Sequence, residues 1–113
     1  IIRFAKSQIP QEKICIALAL HGYDWSKGSV NSLNFRKAAE LIEKHSARLR
    51  WDRKSQTPYF RYSKGGISHQ VWFEDQKSIS RKIQIIKKYK INKIALWHLG
   101  ILSPSLSEPL ESF

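Results

Sequence analysis

Glu74 and Asp75 stand side by side, and paired carboxylates are common equipment for general acid–base work. Adjacent residues of a strand point to opposite faces, so these two cannot flank one scissile bond together. Asp75 is better read as a helix N-cap, its carboxylate accepting the free amides of a first turn. His45, His69 and His98 show no metal-ligand spacing, and no nucleophile triad or glycine-rich phosphate loop occurs. The chain's single cysteine, Cys15, excludes an internal disulfide and lies in an apolar run, where a small buried hydrophobe is expected. No cofactor or metal is implied. What remains is a set of side chains that close two apolar runs: His21, Tyr23, Asp24 and Trp25 after the first, Trp97 at the end of the second.

Those runs must be strands. Lys13 to Leu20 is continuously apolar beyond its first residue, too hydrophobic for a half-exposed antiparallel strand, and Ile94 to Trp97 reads as a strand buried on both sides. Between Asp75 and the second strand, Ile79, Ile83, Ile86 and Lys90 fall at helical spacing, leaving Arg81, Lys82, Lys87 and Lys88 solvated. A helix running at once into a buried strand is half of a βα repeat, and such folds keep their chemistry at the strands' C-terminal ends. Ile9-Pro10 ends a helix containing Ile1 to Ser7.

A parallel crossover needs about a dozen residues, and the stretch from Gly22 to Lys93 is far longer, so something is inserted. Asn31 to His45 is helical in period, with Phe35, Ala38, Ala39 and Ile42 on one side and Asn31, Ser32 or Asn34 able to cap. Ala47–Trp51, Pro58–Tyr62 and Ile67–Phe73 read as three antiparallel strands, the last two joined at Lys64-Gly65-Gly66. Asp24 suits an Asx-turn that holds its loop. The tail from Ser103, with Pro104 and Pro109, reads as loop.

The formal charge of +11 admits nucleic acid, an anionic surface or a polyanionic polymer as partner. The basic residues are spread rather than blocked, which favours a solvated face. No run approaches the roughly 20 apolar residues of a membrane span. Two parallel strands alone leave open edges, so the chain is expected to be part of a larger barrel and prone to self-association in isolation.

Ile9-Pro-Gln-Glu-Lys-Ile-Cys-Ile-Ala-Leu-Ala-Leu-His-Gly-Tyr-Asp-Trp25 resembles the seventh barrel strand of family 18 glycoside hydrolases. It is similar to the spore-cortex subgroup's I-P-x-x-K-I-x-x-G-x-P-L-Y-G-Y-D-W. Pro58-Tyr-Phe-Arg-Tyr62, His69-Gln-Val-Trp-Phe-Glu-Asp75 and Trp97-His-Leu-Gly100 resemble that subgroup's further motifs, in the same order. The chain departs where His21 stands for tyrosine, and where Ala17 and Ala19 stand for glycine and proline.

The resemblance implies an α/β fold: the C-terminal portion of a (β/α)8 TIM barrel, its seventh and eighth strands, carrying a small α+β insertion. Residues 1–25 would be the end of the sixth helix and the seventh strand, 26–73 the insertion, 74–102 the last helix and eighth strand, and 103–113 the tail. It implies that Trp97 is the floor on which a sugar stacks and that His21 and Tyr23 help line the site; a core tryptophan and a structural histidine are the alternatives. It also implies a polysaccharide partner containing N-acetylglucosamine, peptidoglycan or a chitin-like glycan, and a place in the spore or cell wall. The family's catalytic D-x-x-D-x-D-x-E, whose glutamate is the general acid, does not occur in this sequence. A non-catalytic sugar-binding remnant and a basic nucleic-acid-binding module with exposed aromatics are the rival readings.

Overall fold

The computed structural model describes residues 1–98, 104–111 and 113. The elements run α1 (Ile2–Gln8), β1 (Ile16–Ala19), β2 (Gly22–Ser26), β3 (Ser29–Leu33), α2 (Phe35–His45), β4 (Arg50–Asp52), β5 (Thr57–Lys64), β6 (Ile67–Trp72), α3 (Gln76–Lys88), β7 (Ile94–Trp97) and α4 (Pro104–Glu111). They form two sheets, a parallel pair β1-β7 and a five-stranded sheet in the order β3-β2-β6-β5-β4.

The parallel pair is aligned Ile16 to Ile94 and Ala19 to Trp97. Period-two alternation turns Ile16, Leu18, Ile94 and Leu96 toward α3. There Leu18, Leu20, Ile79, Ile83, Ile86, Ile91 and Leu106 form a core. The helix starts where the sequence places it. Ser78 N–H donates to Asp75 Oδ1 at 2.8 Å, and Asp75 N–H donates to Ser78 Oγ at 2.9 Å. Helix and strands are thus joined by apolar burial worth roughly 1.5–3 kcal/mol for each large aliphatic side chain.

Two expectations are corrected on the other face of this pair. Ala17, Ala19, Ala95 and Trp97 are exposed, so β7 is buried on one side and not both. Cys15 shares that face and is exposed too. A run of apolar residues records how a strand can pack; it does not say which side is covered.

The intervening unit is larger than expected. Its sheet has five strands rather than three, because Gly22–Ser26 and Ser29–Leu33 form a further hairpin through Lys27-Gly28. Consequently α2 begins only at Phe35, capped by Asn34, whose Oδ1 accepts from the Lys37 amide at 2.8 Å. The Gly65-Gly66 turn lies where expected, both residues with positive φ as a tight β5-β6 hairpin requires. A second core of Ala38, Phe60, Val71 and Phe73 lies between this sheet and α2.

The tail is also corrected. Residues 104–111 are helical, with Leu106 fully buried in the first core. Gln76 donates to Glu108 at 2.5 Å, tying α4 to the start of α3. Proline at a helix's first position loses no bond, since that amide is free anyway, so Pro104 starts a helix that it seemed to forbid. The Leu99-Gly100 end of the last motif and the boundary at 102–103 lie outside the described residues.

Candidate functional site

The C-terminal ends of β1 and β7 are tied together: the Leu20 amide donates to the Trp97 carbonyl at 2.8 Å. Immediately beyond, the chain turns from one sheet into the other at Gly22. A Cβ there would sit 2.1 Å from the Trp72 carbonyl oxygen and 2.5 Å from the Phe73 Cα, so only glycine lets β2 pass β6 this closely. This crossing swings His21 and Tyr23 to the same side. Their side chains meet edge to face with ring centroids 5.2 Å apart, and His21 Nε2 lies 3.0 Å from the Tyr23 hydroxyl.

Trp97 faces them across an open cleft of about 440 Å³. It is 65% exposed in this chain. Its ring meets His98 edge on at 5.7 Å, and the Trp97–His98 peptide bond is cis. Ser32 and Asn34 complete the polar side of the cleft. The three residues singled out from sequence, Trp97, His21 and Tyr23, therefore line one space although 76 positions separate the first two. Ser32, Asn34 and His98 were not anticipated there. Ser32 and Asn34 read only as helix caps, and nothing in linear spacing shows that β3 folds back beside β7.

The cleft provides a flat indole, an imidazole–phenol pair and small polar groups. Among the described residues no carboxylate lines it. Such a surface stacks on apolar ring faces and bonds hydroxyls or amides.

The carboxylates are used elsewhere. Asp24 does not make an Asx-turn; it lies within β2 and points to the α2 side of the sheet. Its Oδ2 accepts from the Tyr62 hydroxyl at 2.5 Å, and its Oδ1 lies 2.8 Å from His69 Nδ1. Tyr62 is stacked between His45 and His69, at centroid distances of 4.4 and 4.5 Å. Burial, then the hydrogen bond to Asp24 and its negative charge, hold the Tyr62 phenol well above its ordinary range, so it stays a donor. Glu74 is buried and accepts from Ser78 Oγ at 2.6 Å while pairing with Lys82, which is therefore not simply solvated. With Asp75 capping α3, neither carboxylate is free for acid–base work.

Comparison with known proteins follows the same lines. The family model described as "Glycosyl hydrolases family 18" matches residues 2–101. YdhD of Bacillus subtilis (strain 168), a proposed sporulation-specific glycosylase, is 39% identical over 106 residues, covering 88% of this chain and 25% of its own length. The cortical fragment-lytic enzyme of Bacillus anthracis is 32% identical over 111 residues, covering 92% of this chain and 26% of its own. Among solved structures, the spore cortex-lytic enzyme SleL of Bacillus cereus superposes with a TM-score of 0.92 at 31% identity, over 98% of this chain and 28% of that one. The chain thus spans about a quarter of the length of the curated relatives it matches. On the extent of the family match and these identities, the chain belongs to family 18 of the glycosyl hydrolases.

Proposed function

We propose that this chain forms the C-terminal part of a (β/α)8 barrel that acts on glycans containing N-acetylglucosamine, peptidoglycan of the spore cortex before chitin-like polymers. In this reading β1 and β7 are the seventh and eighth barrel strands, α3 is the last helix, and the five-stranded sheet with α2 is the insertion, starting at Gly22. The open edges of β1 and β7 are where further barrel strands pair, which removes an aggregation hazard.

One observation carries the functional reading: Trp97, His21 and Tyr23 converge in a single open cleft at the C-terminal ends of two parallel strands. Barrel enzymes build their sites there. Trp97 then supports the apolar face of a pyranose, and the His21–Tyr23 pair bonds its hydroxyl or acetamide groups. The general acid and the acetamide-positioning carboxylate that family resemblance places on the fourth strand have no counterpart in this sequence. The segment accordingly supplies binding and orientation, and by itself hydrolyses nothing. The names of its relatives, a cortical fragment-lytic enzyme and a spore cortex-lytic enzyme, support peptidoglycan as the substrate.

The test is a titration of the chain with an N-acetylglucosamine hexamer and with single-stranded DNA at two salt concentrations. Hexamer affinity should depend little on salt and fall about tenfold, about 1.4 kcal/mol, in Trp97→Ala. Tight DNA binding that weakens steeply with salt, without sugar affinity, would establish the nucleic-acid rival instead.

A further inference from the structure

The five-stranded sheet covers its α2 side with a core, but among the described residues its opposite side has no layer over it. Direct cross-strand partners share a face, so the strand registers show what that open side carries. One row runs Arg50–Tyr59–Trp72–Tyr23–Ser32 across β4, β5, β6, β2 and β3. The next runs Arg61–Gln70–Trp25–Val30. This is an unusual composition for a solvent face. Trp25 is 49% exposed and Tyr23 41%, and their rings lie 6.0 Å apart. Tyr59 and Trp72 are stacked at 4.5 Å with an angle of 13° between planes. Beside Trp25, with Arg61 and Gln70, the surface sinks into a hollow of about 290 Å³ that also takes in Lys27.

Two features tell what would lie here. The first is continuity: Tyr23 belongs both to the upper row and to the Trp97 cleft, so the aromatic surface runs unbroken from that cleft onto the sheet. Five strands about 4.8 Å apart make a track about 19 Å wide, enough for several sugar rings. The second is charge. Arg50 and Arg61 are exposed among the rings, and Lys27 borders the hollow. The carboxylate on the same side, Asp52 at the β4 edge, is engaged by the Ser55 amide at 2.9 Å and hydroxyl at 2.6 Å. Those two bonds, with a lesser contribution from the Lys54 backbone and charge, hold it below its ordinary range. Guanidinium groups at the β4-β5 end of rows of aromatic rings fit a polymer that carries both ring faces and carboxylates.

We propose that this open sheet face continues the Trp97 cleft as a binding track for a carboxylate-bearing aminosugar polymer, with Trp25 and the Tyr59–Trp72 stack as platforms and Arg50 and Arg61 as carboxylate contacts. The proposal rests on the glycan-binding reading of the cleft and adds to it the charge of the ligand and the residues that sense it.

The experiment titrates the whole chain with two probes at low salt: an uncharged N-acetylglucosamine hexamer, and peptide-free peptidoglycan strands whose lactyl groups carry carboxylates. The anionic strands should bind about tenfold more tightly. Arg50→Gln with Arg61→Gln should abolish that difference, while Arg50→Lys with Arg61→Lys should retain part of it. Trp25→Ala should weaken both probes several-fold, with the circular dichroism spectrum unchanged. Equal affinity of the two probes, or a preference that survives the double glutamine change, overturns the proposal. The cleft and the track fail separately. If Trp97→Ala weakens the hexamer and the sheet variants do nothing, the track falls and the cleft stands. If only the sheet variants matter, the cleft reading falls. Binding of neither probe overturns both.

Discussion

The parallel pair and the antiparallel sheet solve the same burial problem in different ways. β1 and β7 pair with one another alone among the described residues, and their covered face depends on α3 and Leu106 of α4. Their other face, from Cys15 to Trp97, is bare among the described residues. The antiparallel unit closes its own core with α2, so Phe60 and Val71 are wholly buried without help from the rest of the chain. Phe35 packs against both cores and joins them. The difference teaches that one half closes its own core, while among the described residues the other is covered on one face alone. The candidate cleft lies at their junction, where Gly22 carries the chain from one sheet to the other.

The most severe way to break that comparison is to open one core and watch the other. Phe60→Ala should cost about 3–5 kcal/mol, and Ile79→Ala about 2–5 kcal/mol. Hydrogen exchange locates each loss. If the halves are separate units, Phe60→Ala should lower protection in β2, β5 and β6 most, and Ile79→Ala should lower it in β1, β7 and α3 while sparing β5 and β6. Uniform loss across the chain in both variants would show one cooperative core and remove the distinction.

The same contrast explains what could be read from the sequence. The start and covered face of α3 were legible because Asp75, Ile79, Ile83 and Ile86 give a cap and a period that agree; its end was not, since the helix stops at Lys88 and Lys90, read as its next turn, has a positive φ. The β5-β6 hairpin was legible because Gly65-Gly66 supplies the positive φ that its turn needs. The β2-β3 hairpin was not. Tyr23, Asp24 and Trp25 read as loop following a strand, and Asn31 and Ser32 are good enough caps to draw a helix over what is a polar edge strand. α4 was hidden by two prolines that mark breaks in most contexts. At the cleft, Trp97, His21 and Tyr23 could be grouped from sequence because each lies at or just beyond the end of an apolar run, and the structure places them around one space. Ser32, Asn34 and His98 were not, because their presence depends on three elements meeting in space. Cys15 was placed inside because an apolar run does not reveal that one of its faces is uncovered.

The polar network around Tyr62 sharpens the comparison at smaller scale, since it belongs wholly to the antiparallel unit. Tyr62→Phe should cost about 1.5 kcal/mol at neutral pH, the worth of a hydrogen bond to a carboxylate. The pH dependence has a fixed sign. Folding raises the Tyr62 phenol above its unfolded value of about 10, first by burial and then through Asp24. The stability it contributes is fully present below about pH 10 and is lost as pH climbs toward the folded value. Wild type should therefore lose stability in alkali faster than Tyr62→Phe. Asp24→Asn should bring the phenol only part of the way back, because burial remains. Parallel alkaline curves for wild type and the phenylalanine variant would refute this account.

The smallest expected effect tests the half covered on one face. Asp75 caps α3, and α3 is the layer that covers β1 and β7. Asp75→Ala removes the acceptor for the Ser78 amide and half of a reciprocal pair, at about 1 kcal/mol. Asp75→Asn keeps a side-chain oxygen at the cap and gives up the charge at the positive end of the helix, so its cost should be about 0.5 kcal/mol. Salt should narrow the gap between wild type and Asp75→Asn, since it screens the charge and leaves the hydrogen bond. The loss should appear in the exchange of α3, β1 and β7 and leave the β5-β6 ladder untouched, because Phe60, Val71 and Ala38 do not lean on the capped end. Glu74, the next residue back, binds Ser78 Oγ and Lys82 and supports the same turn from its buried side. If Asp75→Ala costs nothing, Glu74 and Ser78 hold the helix start unaided. If the cost spreads evenly into β5 and β6, the two halves are coupled through this turn, and the parallel pair is less dependent on outside cover than its bare face suggests.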